Sequence, residues 1–376
     1  MRRTRVVHII DHMGLGGGQT FLRSVLPLLP RERFDVCVLN LRAATELSQA
    51  LSADGVPVIS LNQPRWSPLQ VASLASALRR LRPDIVHTHL TVGTLLGRAA
   101  AILAGAPHII AHDHLSVSSE VYSTPPLVVL AQRLSEPFLR RRTDMYVSPA
   151  QAVGEASAGA KGWPAGRLRV LPNPVDCRAF VPPEDRARWR RALGLPDRFT
   201  VTTFSRLVPQ KRPGDVLRVA EQVVARFPEA QFLLAGSGPL EERLREQIAS
   251  AGMADRVRLL GFRRDTAALL AASDVYLSVS SGEALSVSIL EALASGLPVV
   301  ATAVGGTVEQ VLEGRTGYLA RVGDVARFAD ALVELGEHPE LRRALGAAAR
   351  AHALDNYDTP IVADRLARLY GELLAR

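Results

Sequence analysis

Residues 273–306 read SDVYLSVSSGEALSVSILEALASGLPVVATAVGG, and the fold follows from how this stretch alternates. Residues 275–279 are apolar and partly β-branched, as in a buried strand. Ser280-Ser281-Gly282 is turn chemistry. Residues 284–294, rich in Ala and Leu and closed by Ser295-Gly296, predict a helix. A second buried strand covers 298–302 and ends at Gly305-Gly306. Strand, loop, helix and strand in this order make the βαβ unit of a parallel sheet.

Two acids sit in this unit. Glu283 lies in the loop, and Glu291 lies on a helix whose other residues are apolar or small. A buried carboxylate needs a partner, and it offers acceptors only, which suits a sugar diol. Between the acids, the backbone N–H groups of Leu285, Ser286 and Val287 fall at the expected helix start, a natural seat for a phosphate. The alternative reading has Glu283 capping the helix and Glu291 in solvent.

Glu283, seven residues, Glu291 and then Ala-Leu-Ala-Ser-Gly-Leu-Pro-Val-Val-Ala-Thr over 292–302 resemble the carboxy-terminal signature of glycosyltransferase family 4. Those are retaining sugar-nucleotide transferases of the GT-B fold. Members often carry Gly-Phe-Gly after the first Glu. Here Ala284-Leu285-Ser286 stands instead, which keeps the backbone donors and alters the loop.

The chain has 376 residues, enough for two domains, and 47% hydrophobic content for two cores. Cys37 and Cys177 are its only cysteines, so a reducing compartment is expected rather than a disulfide framework. The apolar run at 6–10 is too short for a signal peptide and no run suits a membrane span, so a cytoplasmic protein is expected. Residues 1–172 hold 19 Lys+Arg against 11 Asp+Glu, and residues 173–376 hold 26 of each. The whole net charge of +8 thus belongs to the first half, where it can attract phosphates or an anionic membrane surface, or merely be solvated. Aromatic content of 5% gives no stacking platforms for single-stranded nucleic acid, so no nucleic-acid partner is expected.

Along the first half, strands at 6–10, 35–39, 56–61, 84–89, 107–111 and 145–147 alternate with helices, one at 21–29 and one at 69–81, as in a doubly wound parallel sheet. Gly14, Gly16, Gly17 and Gly18 follow the first strand. The dinucleotide pattern G-x-G-x-x-G fails because Gln19 occupies its third glycine position. The resemblance implies a glycine loop near the donor phosphates and acceptor; a tight turn alone is the other reading. His87/His89 and His112/His114 form two H-x-H pairs at strand ends. Such pairs can hold zinc, but no Cys and no H-E-x-x-H accompanies them, so no metal is expected. The resemblance places His114 at the donor sugar, with His112 second and His87 and His89 structural or lining.

In the second half, Val170-Leu-Pro-Asn-Pro-Val-Asp176 resembles the family's passage into its second domain. Arg206 and Lys211 match its Arg-four-residues-Lys motif, cations that would neutralise a diphosphate leaving group. Lys161 and Lys211 are the only lysines, so a lysine there is notable in a chain that otherwise uses arginine. Gly236 ends a strand in another close-approach turn, and Gly261-Phe262 falls where family members line the base. No Asp-x-Asp pair, the usual carboxylate seat for a metal-bound diphosphate, occurs.

The expectation is an α/β protein with two Rossmann-like domains facing across a cleft. Residues 1–172 form the acceptor side, with 361–376 packing back on it, and residues 173–360 hold the nucleotide-sugar. The function expected is retaining transfer from a nucleotide-sugar, UDP-sugar favoured, without metal or other cofactor. The acceptor is a small molecule, a lipid-linked compound or a glycan. His114, Glu283, Lys211 and Arg206 carry the chemistry; Gly16, Gly17, Gly18, Leu285, Ser286, Val287, Glu291, Gly236 and Phe262 bind substrate. An epimerase or phosphorylase on the same fold, or a non-catalytic nucleotide-binding protein, is the alternative.

Overall fold

A computed structural model describes residues 2–14, 16–63, 69–114 and 126–375. Two compact units divide the chain: Met1–Pro174 with Thr359–Arg376, and Val175–Asp358. The first contains β1 (Thr4–Ile10), β2 (Phe34–Asn40), β3 (Val58–Ser60), β4 (Ile85–His89), β5 (His108–His112), β6 (Met145–Ser148) and β7 (Leu168–Val170) in the order β3-β2-β1-β4-β5-β6-β7. The second contains β8 (Phe199–Phe204), β9 (Ala230–Ala235), β10 (Val257–Leu259), β11 (Val275–Ser278), β12 (Val299–Thr302) and β13 (Gly317–Ala320) in the order β10-β9-β8-β11-β12-β13. Every named strand pair in both sheets is parallel. Both orders reverse direction beside their first strand, at β1/β4 and at β8/β11, which is where doubly wound sheets open a crevice for ligands.

The inner strands of each sheet, β4, β5, β8, β9, β11 and β12 among them, are buried on both faces, which explains their near-continuous apolar sequences, while the edge strands β3, β7 and β10 are partly exposed. One core of the first unit gathers Val6, Ile10, Phe21, Leu22, Phe34 and Ile110 with Val362, Leu366, Tyr370 and Leu373 of the last helix, Thr359–Leu374. The core of the second joins Val201, Phe232, Leu277 and Val300 to Val216, Val219 and Leu332 of its helices.

Two helix starts differ from the sequence expectation. The first helix runs Gly17–Val25, not 21–29, so Gly17 and Gly18 are helical. Pro27 cannot donate to an α-helical ladder, and the chain tightens to a 3₁₀ turn at Leu26–Leu28. The helix expected at 284–294 spans Val287–Ala294. Ser286 is extended there, with φ −73° and ψ 118°. Its N–H donates to Gln310 Oε1 at 3.0 Å, and its carbonyl accepts from Gln310 Nε2 at 2.8 Å. This two-point clamp fixes the loop outside the helix.

Candidate active site

In the second unit, loops from the carboxyl ends of β8, β9 and β11 meet. Gly236, with φ +144°, leaves no room for a side chain: a Cβ would lie 1.8 Å from the Ser205 carbonyl oxygen. Its close approach is therefore to the backbone beside Arg206. Gln210 ties the β8 loop to the β11 loop, accepting from Ser281 N–H at 2.8 Å and donating to the Gly282 carbonyl at 2.7 Å. Lys211 Nζ then meets Glu283 Oε1 at 2.5 Å. The sequence assigned these two residues separate tasks; the fold makes them an ion pair. Arg206 is exposed, and its guanidinium has no partner among the described residues. Phe262, just beyond β10, is exposed too.

The three amides expected at the helix start are not equivalent. Ser286 N–H is consumed by Gln310, which corrects its assignment as a free donor, while Val287 opens the helix. The carboxylate of Glu291, a half-buried residue, has no hydrogen bond or ion pair among the described residues, and desolvation raises its pKa from 4.5 to about 7. The Tyr276 hydroxyl nearby is held by the Phe204 backbone, 3.2 Å from both its N–H and its carbonyl. Gln210 and Gln310 are functional supports that the sequence reading missed. Their glutamines sit in no periodic pattern, so only the fold reveals them.

In the first unit, Gly16 is extended and the helix begins at Gly17. Gln19 Nε2 donates to the His12 carbonyl at 3.1 Å, and His12 Nδ1 accepts from Gly14 N–H at 3.1 Å. The residue that breaks the dinucleotide pattern thus braces the glycine loop. A Cβ on Gly18 would come 3.3 Å from the His114 ring, so that glycine lets the helix rest on His114. His114 stacks on His112 with ring centroids 3.9 Å apart. His87, His89 and His8 complete a buried cluster. His8 was missed, although a histidine inside an apolar strand was the available signal. Two triads, His8/His87/His89 and His89/His112/His114, each bring one ring nitrogen per residue within 4.8 Å of the others. One ring-to-ring hydrogen bond lies in each triad, His8 to His89 in the first and His89 to His114 in the second, while His87 bonds the Tyr370 hydroxyl and His112 only stacks. The triads meet the distance needed for a metal, and no thiolate or carboxylate is part of either.

The helix Pro126–Leu139 is inverted relative to an ordinary surface helix. It buries Gln132 and Glu136 along with Val128 and Leu139, and exposes Leu127, Leu130, Leu134 and Phe138. The cause is Arg98, buried on the helix Thr91–Ala104, which donates to both oxygens of Glu136 at 2.7 and 3.0 Å. Arg140, Arg141 and Arg142 follow, exposed. Among the described residues no helix is long and apolar enough to cross a membrane.

The family model "Glycosyltransferase Family 4" matches residues 15–179, and "Glycosyl transferases group 1" matches residues 185–352. Over 375 residues the chain is 31% identical to the GDP-mannose-dependent alpha-(1-6)-phosphatidylinositol monomannoside mannosyltransferase of Mycolicibacterium smegmatis, covering 94% of each. This chain belongs to glycosyltransferase family 4. As a family 4 glycosyltransferase it is an enzyme that uses a nucleotide-sugar donor, which sets aside a non-catalytic role. It is also 28% identical to the UDP-Gal:alpha-D-GlcNAc-diphosphoundecaprenol alpha-1,3-galactosyltransferase of Escherichia coli, over 89% of this chain and 88% of that one. Anabaena HepE, solved in complex with UDP, shares the family 4 enzyme's fold with a TM-score of 0.85 at 24% identity, over 98% of this chain and all of HepE.

Proposed function

We propose that this family 4 enzyme is a retaining, metal-independent transferase that moves a sugar from a UDP-sugar to a lipid-linked acceptor. The observation that carries the donor half is Glu291, a carboxylate raised to a pKa of about 7 by burial and left without a hydrogen-bonding partner. A ribose diol supplies two donors to such a group, and its binding favours the ionised form. Arg206, Lys211 and the amide of Val287 compensate the diphosphate, and Glu283 takes hydroxyls of the transferred sugar. These cations and N–H groups supply the charge that a metal supplies elsewhere. In retention the leaving phosphate helps deprotonate the acceptor hydroxyl on the same face, and His114 serves the reacting sugar.

The acceptor half rests on the helix Pro126–Leu139, with its outward apolar stripe and the three arginines that follow. Such a surface suits an anionic bilayer, and the E. coli and M. smegmatis relatives are named for lipid-linked acceptors.

The test is transfer from an α-linked UDP-sugar to undecaprenyl-diphosphate and phosphatidylinositol glycolipids in EDTA, with proton NMR of the new anomeric signal. An α-linked product formed without metal is expected. A β-linked product ends retention, and activity that returns only with added Mn²⁺ ends metal independence. A thermal-shift panel of UDP, GDP and ADP separates the nucleotides, with UDP expected to stabilise most.

A further inference from the structure

Four histidines and one tyrosine of the first unit are strung together by hydrogen bonds. His114 Nε2 lies 3.0 Å from His89 Nδ1, and His89 Nε2 lies 2.8 Å from His8 Nδ1. His8 Nε2 lies 3.1 Å from the Tyr370 hydroxyl, which lies 2.8 Å from His87 Nδ1. Strand register builds the row: His8 pairs directly with His87 between β1 and β4, and the last helix lays Tyr370 across them. Both loose ends of the row, His114 Nδ1 and His87 Nε2, are buried and have no partner among the described residues.

A neutral imidazole carries one N–H and one bare nitrogen. Burial lowers His8 to about 3 and His114 to about 4, and holds His87 and His89 well below 6.5. The rings are therefore neutral at pH 7, and each link holds one proton. If His114 keeps its proton on Nε2, it donates to His89 Nδ1, which puts the His89 proton on Nε2. The same step passes through His8 to Tyr370, whose hydroxyl then donates to His87 Nδ1. If His114 carries its proton on Nδ1 instead, every link reverses.

We infer that His8, His87, His89 and His114 share a single tautomer, and that the rotatable Tyr370 hydroxyl couples them and thereby fixes whether His114 Nδ1 donates or accepts. The functional weight of this rests on the reading that His114 serves the transfer. Tyr370, His87, His8 and His89 are then positioning residues, acting through His114. His112, stacked on His114 without a hydrogen bond, and Asp113 are the other titratable groups against it, and neither enters the row.

Imidazole ¹⁵N shifts of the labelled full chain at pH 7.5 test the inference. All four rings are expected in the same form, either all Nε2–H or all Nδ1–H; a mixture overturns it. In Tyr370→Phe the His87 pattern should separate from the other three, and kcat should fall about tenfold with KM within about twofold. Wild-type shifts together with wild-type kcat in that variant also overturn it. Should the variant not fold, the wild-type spectrum decides alone. Activity of His114→Asn reports the site assignment separately, because full activity there would remove His114 from the transfer while the tautomer pattern is still read by NMR.

Discussion

Glu291 holds its proton up to about pH 7 in the folded, unliganded chain, against an ordinary value of 4.5. Between these values the native state binds more protons than the unfolded one, so stability falls as pH rises and the full penalty persists above 7. Glu291→Gln should therefore stabilise the free protein at pH 8 by on the order of 1–2 kcal/mol and leave it nearly unchanged at pH 4. Thermal scans at the two values check this; equal shifts at both would remove the burial penalty. Binding runs the other way. Glu291→Ala should weaken UDP binding by roughly 1.5–3 kcal/mol, because ribose hydroxyls lose a charged acceptor. Wild-type affinity should rise as pH passes up through about 7, where the free carboxyl ionises. Calorimetry showing unchanged affinity in Glu291→Ala would sink the ribose assignment.

At the scale of elements, the helix Pro126–Leu139 makes the sharpest prediction. Its exposed Leu127, Leu130, Leu134 and Phe138 form one stripe, and three arginines follow. Phosphatidylglycerol vesicles should pellet the protein at low salt, each arginine contributing on the order of 1 kcal/mol. High salt, the change of Arg140, Arg141 and Arg142 to Ser, or Leu134→Asp with Phe138→Asp should each release it. A protein that stays in the supernatant at low salt has no such surface and takes a small soluble acceptor. The sequence PLVVLAQRLSEPFL shows an amphipathic stripe but not which side faces inward. That is decided by Arg98, which binds Glu136 from another helix 38 positions away. The same division runs through the site. The strand–loop–helix–strand order around Glu283 and Glu291 was legible because each signal is local. The Gln310 clamp on Ser286 and the row from His8 to Tyr370 were not, since they join residues 24 and 362 positions apart. Periodicity carries no information about which distant side chain will satisfy a buried polar group.

For the whole molecule, the two units differ in how the chain builds them. Val175–Asp358 is one continuous segment, whereas the first unit needs Thr359–Arg376 to complete its core. A fragment of residues 175–358 should fold alone with a cooperative transition. Residues 1–174 should be aggregation-prone alone, and adding a peptide of residues 359–376 should restore far-UV signal and solubility. A stable, monomeric 1–174 fragment would show that the last helix is dispensable.

That helix also sets a timetable. During synthesis the opening 174 residues leave the ribosome before the segment that covers Val6, Phe21 and Phe34 has been translated. At about 5–20 residues per second, the nascent sheet must wait on the order of ten seconds or more with part of its apolar face uncovered. Folding from the amino terminus onward, the usual order for multidomain chains, is thus opposed by the topology. The later-made unit is expected to reach its native state first, leaving chaperones a defined interval in which to hold the earlier one.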